Sequence, residues 1–564
     1  MDARKRRVEG RQGEETLSGS WKQFLLLFLL AALAWFALLG YRDLRDPDEG
    51  RYAEIPREMV ATGDWVTPRL NGFKYFEKPP LDYWGTAVFY TLFGTGQGVS
   101  RLWCATTGFL GILWTFWLGR RLFGPREGFY AALFLSSSLL YFAMGHMHTV
   151  DMGTAVFMTF GLGSLLLAQS RREDPGFVRT WMLLAWAGLA AGTLSKGPMA
   201  LILPGAAVVL YTLWQRDFAL WRHMHLGKGL LLYLLLTAPW FVLVSLRNPE
   251  FPEFFFIREH LLRYTTTMHS RNATSLYFIP VFLAGSLPFM ARAAAVLVKP
   301  AFAWRSTDAG AFSPLRLLWV YCAFIFLFFS LSHSKLIPYI LPIFPALALL
   351  VGHHLVRRDP ENVRADARIL MGVLVLLGVV VLIPGYVMAN SRLSPEIVAR
   401  FRWWLLAGGV VLGVGVALVA YWRYQGSRCV VALAVAALVA FQVIHAGYQT
   451  TSQVYSARMM AAAMTPFVRP GVPVYSIECF HHSLPYYLGR PVDLVGYRGE
   501  LEFGIDQEPQ RWIADKETFF QRWRETPGAL AVFHRHDFPY QQARRDLPMR
   551  VLYEDPYRVA VVRP

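Results

Sequence analysis

Cysteine is nearly missing from this chain: 564 residues contain four, Cys104, Cys322, Cys429 and Cys479. None stands in a paired spacing, which excludes a CxxC-type zinc site and argues against a disulfide framework. Charge is scarce too. Asp, Glu, Lys and Arg make up 17% of the residues, too few to coat the several domains that a soluble chain of this length would form. Acids are the scarcer sign, 39 against 56 bases, for a formal net charge of +17. That excess comes without a basic face or a recognition motif, so nucleic acid is not an expected partner. A cleaved leader is not indicated, because the first apolar run is too long and lacks a small-residue cleavage site. No internal repeat of the transporter kind is visible.

What is abundant is apolar. Hydrophobic residues make up 54% and aromatics 15%, gathered in repeated runs of about 15 to 22, the length that carries a helix across a hydrocarbon core. The sequence therefore predicts a polytopic α-helical membrane protein. Arg4-Lys5-Arg6-Arg7 precedes the first run, Trp21 to Tyr41, which puts residues 1–20 in the cytoplasm and Tyr41 on the far side. If Leu81 to Phe93 lies in the membrane plane, twelve more runs follow between residues 102 and 448. The basic connectors, such as Arg120-Arg121, Arg171-Arg172 and Arg357-Arg358, then all fall on the cytoplasmic side. Counting Leu81–Phe93 as a span would invert every one of them, so about thirteen spans are expected within residues 21–448.

From residue 449 to 564 the pattern changes. Alternation predicts strands at Val472–Ile477, Val492–Val495, Ala529–Phe533, Arg550–Tyr553 and Arg558–Val562. Helices are predicted at His481–Leu488, Lys516–Arg524 and Phe538–Arg545. This reads as a small α/β domain, placed on the outer side by an odd number of spans.

The same topology collects the unusual polar residues on the outer face. The first outer loop, residues 42–100, carries Asp46-Pro47-Asp48-Glu49-Gly50-Arg51-Tyr52-Ala53-Glu54 and then Tyr75-Phe76-Glu77-Lys78-Pro79-Pro80. A carboxylate such as Asp48 or Glu49, facing an anomeric carbon, can stabilise an oxocarbenium ion or take a proton from a nucleophile. The plainer role for Asp48 is a helix cap. Lys78 can hold a phosphate oxygen with Tyr75 as a hydroxyl donor, or simply snorkel to head groups. Asp151 follows His146-Met147-His148 at the mouth of two spans, where it too could be a cap. Lys196, in Ser-Lys-Gly-Pro, needs a carboxylate, a phosphate or water at membrane depth. His260 and Arg263 stand three apart, Arg263 being a second candidate phosphate ligand. Lys335 and Tyr339 add another cation and another hydroxyl. Glu77 with His260 or His269 would make a mixed carboxylate–imidazole zinc site.

Together, the Asp-Glu-x-Arg-Tyr-Ala-Glu-Ile segment, Gly-Asp-Trp, Tyr-Phe-Glu-Lys-Pro-Pro, Asp151, Ser-Lys-Gly-Pro, Glu-His-x-x-Arg and Lys-Leu-x-Pro-Tyr resemble the lipid A aminoarabinose transferases. These belong to the protein O-mannosyltransferase-like branch of the glycosyltransferase C superfamily. The resemblance covers about Trp21 to Pro345 and weakens from Ile369 onward. It implies a thirteen-span glycosyltransferase C fold with in-plane helices in the first outer loop and a periplasmic C-terminal domain. It also implies Asp48 as principal catalytic carboxylate and Asp151 as second essential acid. Lys78, Arg263 and Tyr339 would bind the carrier phosphate, with Arg51, Tyr52 and Tyr75 nearby. Glu77 and a loop histidine would match a metal position that the chemistry does not clearly need, so no cofactor is expected to be required. The implied donor is an undecaprenyl-phosphate-linked sugar, and the implied acceptor is lipid A or another glycolipid at the outer face of a bacterial inner membrane. Two rivals stand beside this reading: a transferase of the same fold moving another sugar onto lipopolysaccharide core, glycolipid or protein, and a lipid flippase.

Overall fold

The computed structural model describes residues 28–262, 274–299, 310–357, 361–383, 393–422 and 426–564, with side chains throughout except at 260–262, 361, 362 and 538. Eight described helices are long and apolar enough to cross a membrane: Gln97–Leu122, Asp151–Gln169, Pro175–Lys196, Leu226–Arg247, Pro314–Leu331, Val363–Leu382, Pro395–Tyr421 and Gly426–Tyr455. One further helix pair is long and apolar enough together but sharply bent, as a broken span or a re-entrant loop would be. Pro125–Ser137 and Leu139–Gly145 meet at 66°, because the backbone at Ser138 is extended. Shorter apolar helices occupy Met199–Gln215 and Ile343–Arg357, and a pair of short helices runs over Phe278–Gly285 and Met290–Val298. Of the first predicted run, residues 28–36 are helical. The outward leucines and valines of these helices, such as Leu235, Leu243, Val410 and Leu382, are exposed, as a lipid-facing belt requires.

Inside the bundle, small residues let helices approach. A Cβ on Gly128 would lie 2.4 Å from the Phe116 carbonyl oxygen, so the helices carrying them meet backbone to backbone, a close approach that membrane helices use in place of hydrophobic drive. Trp35, fully buried, donates its indole N–H to the Ala105 carbonyl at 2.8 Å and ties the first helix to the one beginning at Gln97.

Leu81–Phe93 is a helix of 13 residues, about 20 Å long, which falls short of a hydrocarbon core of about 30 Å. It packs against the first outer helix, Asp48–Thr62, and against Gln97–Leu122. Between the two outer helices runs a two-residue hairpin, β1 (Arg69–Leu70) and β2 (Phe73–Lys74). Its corner is Asn71-Gly72, with φ of 55° and 79°, the left-handed pair that an Asn-Gly turn adopts most readily.

The C-terminal region forms a five-stranded sheet from β3 (Val474–Ile477), β4 (Asp493–Val495), β5 (Leu530–His534), β6 (Arg550–Glu554) and β7 (Arg558–Val562) in the order β4-β3-β5-β7-β6. β3 runs parallel to β4 and β5, while β7 is antiparallel to β5 and β6. All five predicted strands are present within two residues of their expected ends. Successive residues of the central strands serve different layers. Leu530, Val532, Ala560 and Val562 join a core with Tyr52, Ile55, Leu70, Phe73 and Tyr83 of the first outer loop. Ala531, Phe533, Val559 and Val561 pack with Phe519, Trp523, Tyr540 and Ala543 of the domain's own helices. The sheet is thus covered on both faces except at its edge strand β6, and one of its faces packs on the outer loop.

Candidate active site

The first outer helix begins at Asp48, and its first two carboxylates take opposite roles. Glu49 is fully buried and gripped by two guanidiniums: Arg42 donates at 2.9 and 3.0 Å and Arg101 at 2.7 and 3.0 Å. Backbone N–H groups of Arg45 and His148 add donors at 3.0 and 3.2 Å. Burial alone would raise its carboxyl, but Arg101 and Arg42 hold it well below the usual range. The expectation that Glu49 shares the chemistry is therefore corrected. A carboxylate with both oxygens saturated and no surface has no access to a substrate, and its work is to pin the end of the first span to its neighbours. Arg101 completes that joint by donating to the carbonyls of Leu39, Arg42 and Asp43 at 2.7 to 2.9 Å.

Asp48 points the other way. Its side chain is 53% exposed and pairs with Arg51 Nη2 at 2.5 Å, while the position before the helix belongs to Pro47. Arg51 Nη1 meets the Tyr75 hydroxyl at 2.8 Å and Glu500 Oε2 at 2.6 Å. Glu500 in turn meets His482 Nε2 at 2.5 Å. Burial opposes ionisation of Glu500, yet Arg51 and His482 bring its carboxyl down to about 2. The guanidinium also lies 5.3 Å from the Tyr52 ring centre, and Tyr52 stacks on Tyr83 at 6.2 Å. Lys78 lies beside this group, its ammonium donating to the Glu77 carbonyl at 2.8 Å and standing 3.6 Å from the Glu77 carboxylate.

A second ion pair forms where two spans open on the same side. Asp151 starts one helix and Lys196 ends another, and their side chains are directly bonded. Lys196 Nζ also lies 5.0 Å from the Tyr339 ring centre. Asp151 thus partners Lys196, and the position before its helix belongs to Val150. Lys335 is buried and bonded to the Ser332 carbonyl; no described contact joins it to these pairs. His260 stands on a π-helix, Glu253–Leu262, and its side chain, with Arg263 and His269, lies outside the described residues. Of the three candidate zinc ligands, only Glu77 is therefore described at its side chain. Among the described residues no three His, Cys, Asp or Glu could hold a metal, and the adjacent Lys78 ammonium would oppose a dication.

The C-terminal domain closes this site from above. Asn71 exchanges two hydrogen bonds with the Val492 backbone at 2.7 and 2.8 Å, and Arg69 pairs with Glu508 at 2.9 Å. Arg57 reaches the Gly489 carbonyl at 2.9 Å. Glu500 and His482 went unnoticed in the sequence, since nothing local marks an exposed-looking loop carboxylate as the partner of Arg51. Arg42 and Arg101 carried a weak signal, as charges at the ends of apolar runs.

An outer-facing cluster of acids, cations and tyrosines, carried on in-plane helices above a helical bundle, defines a membrane-embedded glycosyltransferase of the glycosyltransferase C fold. Residues 77–243 match the family model for dolichyl-phosphate-mannose-protein mannosyltransferase, and residues 460–563 match that for the aminoarabinose transferase C-terminal domain. The chain belongs to the family of undecaprenyl phosphate-α-4-amino-4-deoxy-L-arabinose arabinosyl transferases. It is 31% identical to the member from Erwinia tasmaniensis over 560 residues, covering 94% of this chain and 96% of that one. The member from Serratia proteamaculans is 32% identical, over 70% of this chain and 72% of that one. The crystal structure of ArnT from Cupriavidus metallidurans bound to undecaprenyl phosphate superposes with a TM-score of 0.88 at 36% identity, covering 96% of this chain and 98% of that one. The apo form of the same protein gives 0.86 at 35%, with the same coverage.

Proposed function

We propose that this protein moves 4-amino-4-deoxy-L-arabinose from undecaprenyl phosphate onto a phosphate of lipid A, with inversion, at the periplasmic face of a bacterial inner membrane. The observation that carries the reading is the meeting of Asp48, Arg51 and Tyr75 of the outer loop with Glu500 of the C-terminal domain, together with the Asp151–Lys196 ion pair at the mouth of two spans. An oxygen of the acceptor phosphate attacks the anomeric carbon as the bond from that carbon to the carrier phosphate breaks. The electron pair leaves with the carrier, and undecaprenyl phosphate is released. Lys78, with Arg263, stabilises the charge that grows on the departing phosphate, a preorganised electrostatic effect. A phosphate monoester acceptor is already ionised near neutral pH, so Asp48 serves to steady the positive sugar rather than to remove a proton. Arg51 holds Asp48 in place for that task.

The reaction needs no metal in this reading, and no step is assigned to one. The N-terminus lies in the cytoplasm. We place the C-terminal domain in the periplasm, a reading supported by its contacts with the first outer loop.

The test is deletion of the gene in its host, mass spectrometry of lipid A, and complementation with wild type or Asp48→Asn. Loss of an aminopentose-sized increment that only wild type restores supports the reading. Unchanged lipid A with a sugar missing from core oligosaccharide, another glycolipid or protein would replace the acceptor. A protein that still carries lipid as Asp48→Asn while no glycan changes would point to a flippase.

A further inference from the structure

Behind the Asp151–Lys196 pair lies a carboxyl that the transfer above does not use. Asp82 stands in the first turn of the in-plane helix Leu81–Phe93 and is 2% exposed. Its Oδ1 accepts the Trp103 indole N–H at 2.8 Å, while its Oδ2 is buried with no hydrogen-bond partner. A Cβ placed on Gly153 would sit 2.7 Å from Asp82 Oδ1 and 3.4 Å from Ser195 Oγ. Glycine at 153 is what lets the carboxyl approach the two spans beside Asp151 and Lys196. The Ser195 hydroxyl, adjacent in sequence to Lys196, is buried beside the same carboxyl, and with the Trp103 N–H it favours the ionised form.

The titratable groups around Asp82 come from every element packed on it. Asp151 and Lys196 face it from the two spans. Tyr83 shares its helix, with its hydroxyl buried. Cys104 faces it from Gln97–Leu122, its thiol donating to the Thr149 carbonyl at 3.1 Å. Lys196 is the one cation among these four. Two ionised carboxyls sharing one ammonium would leave an uncompensated charge in a dry site, which is costly. Burial first, with Asp151 adding to it, pushes the Asp82 carboxyl up to about 8. At neutral pH Asp82 keeps its proton, and Lys196 has a single anionic partner in Asp151.

We propose that Asp82 is a positioning residue of the transfer site: while its wedged carboxyl is neutral the Lys196 ammonium stays on Asp151, and once ionised it competes for that ammonium. The inference rests on the reading of Asp151 as the second acid of the transferase. When hydroxide removes the Asp82 proton, the new anion draws Lys196 inward and leaves Asp151 unpaired toward two phosphates. Transfer then slows on the alkaline side, with a midpoint near the Asp82 value.

The test is the pH profile of transfer, from about pH 6 to about 10, by the full chain in lipid nanodiscs, with the undecaprenyl-phosphate aminopentose and lipid A as substrates. Asp82→Asn is close in shape, neutral at every pH, and can still accept the Trp103 N–H. Its alkaline fall should disappear, so that the ratio of rates above and below the midpoint rises toward one. Trp103→Phe removes one donor that favours the ionised form, and should move the fall to higher pH. An Asp82→Asn enzyme that keeps the wild-type fall, or that is folded and inactive, overturns the proposal. Where Asp82→Asn does not fold, an unmoved fall in Trp103→Phe overturns it. Wild type that transfers no aminopentose at any pH sinks the functional reading itself, an outcome distinct from a fall that Asp82→Asn retains.

Discussion

Arg51 of the first outer helix and Glu500 of the C-terminal domain lie 2.6 Å apart, although 449 residues separate them in the chain. The same guanidinium holds Asp48 and the Tyr75 hydroxyl. A residue of the C-terminal domain therefore sets the orientation of the carboxylate assigned to the chemistry, and the domain is a wall of the site.

Glu500→Gln removes the charge that anchors Arg51, and Asp48 loses its fixed partner. A small misplacement of a reacting group costs on the order of 100-fold, so kcat for transfer should fall about 10- to 100-fold with the protein still folded. Arg51 also depends on that charge through pH. The Glu500 carboxyl is held at about 2 against about 4.3 unfolded. Its folded value is depressed, so its contribution is complete above about pH 4.3 and is lost as pH falls toward 2. Hydrogen exchange across residues 499–501 should rise over that acid window in wild type, and the rise should be absent from Glu500→Gln. Identical acid profiles for the two proteins would count against the contact.

Neighbouring acids should separate by phenotype. Glu49→Ala leaves Arg42 and Arg101 buried without their partner, a loss of about 3–5 kcal/mol, read as a lowered midpoint of thermal unfolding in detergent. Asp48→Asn should unfold like wild type yet lose about 100- to 1,000-fold in transfer rate, the scale for one preorganised electrostatic stabiliser. If Glu49→Ala were as stable as wild type, the structural role given to Glu49 would be wrong.

At Gly50 the outer helix lies close against the C-terminal domain: a Cβ there would lie 2.5 Å from the Ser483 backbone nitrogen. Because the obstacle is backbone, it cannot rotate away. Gly50→Ala should cost about 1–3 kcal/mol and loosen the domain, seen as faster proteolysis between residues 449 and 474. Unchanged cleavage and stability would show that the contact gives way freely.

Chelation should leave transfer unaffected. Glu77 beside Lys78 is the one candidate zinc ligand described at its side chain, and the proposed reaction assigns its charge stabilisation to lysine and arginine. Activity assayed after extended dialysis against a chelator should match the untreated enzyme. A loss that zinc restores would move Glu77, with His260 or His269, into the mechanism.

Much of this protein was legible in its residues. Apolar runs marked the membrane helices, and the charge asymmetry of their connectors kept Leu81–Phe93 from counting as a span, in accord with its 13-residue length. Alternation located the strands from Val474 to Val562 because a strand's side chains divide between two layers whatever those layers are. Asp48, Lys78 and Asp151 stood out because charge beside a membrane span is costly. What the residues did not disclose is which charge meets which. Asp48 and Glu49 are adjacent and chemically alike, and only the helix's rotation against Arg42 and Arg101 buries one while leaving the other open. Asp82 reads as an ordinary first-turn acid until Gly153 and Ser195 are found against it. Glu500 lies on a single 3-10 turn, Gly499–Leu501, and His482 at the start of a short helix, and neither is marked out by the residues around it. Hydropathy and periodicity are summed over neighbours along the chain, whereas an ion pair falls off within a few ångströms of space, so its partners are chosen only when the helices and the sheet have packed.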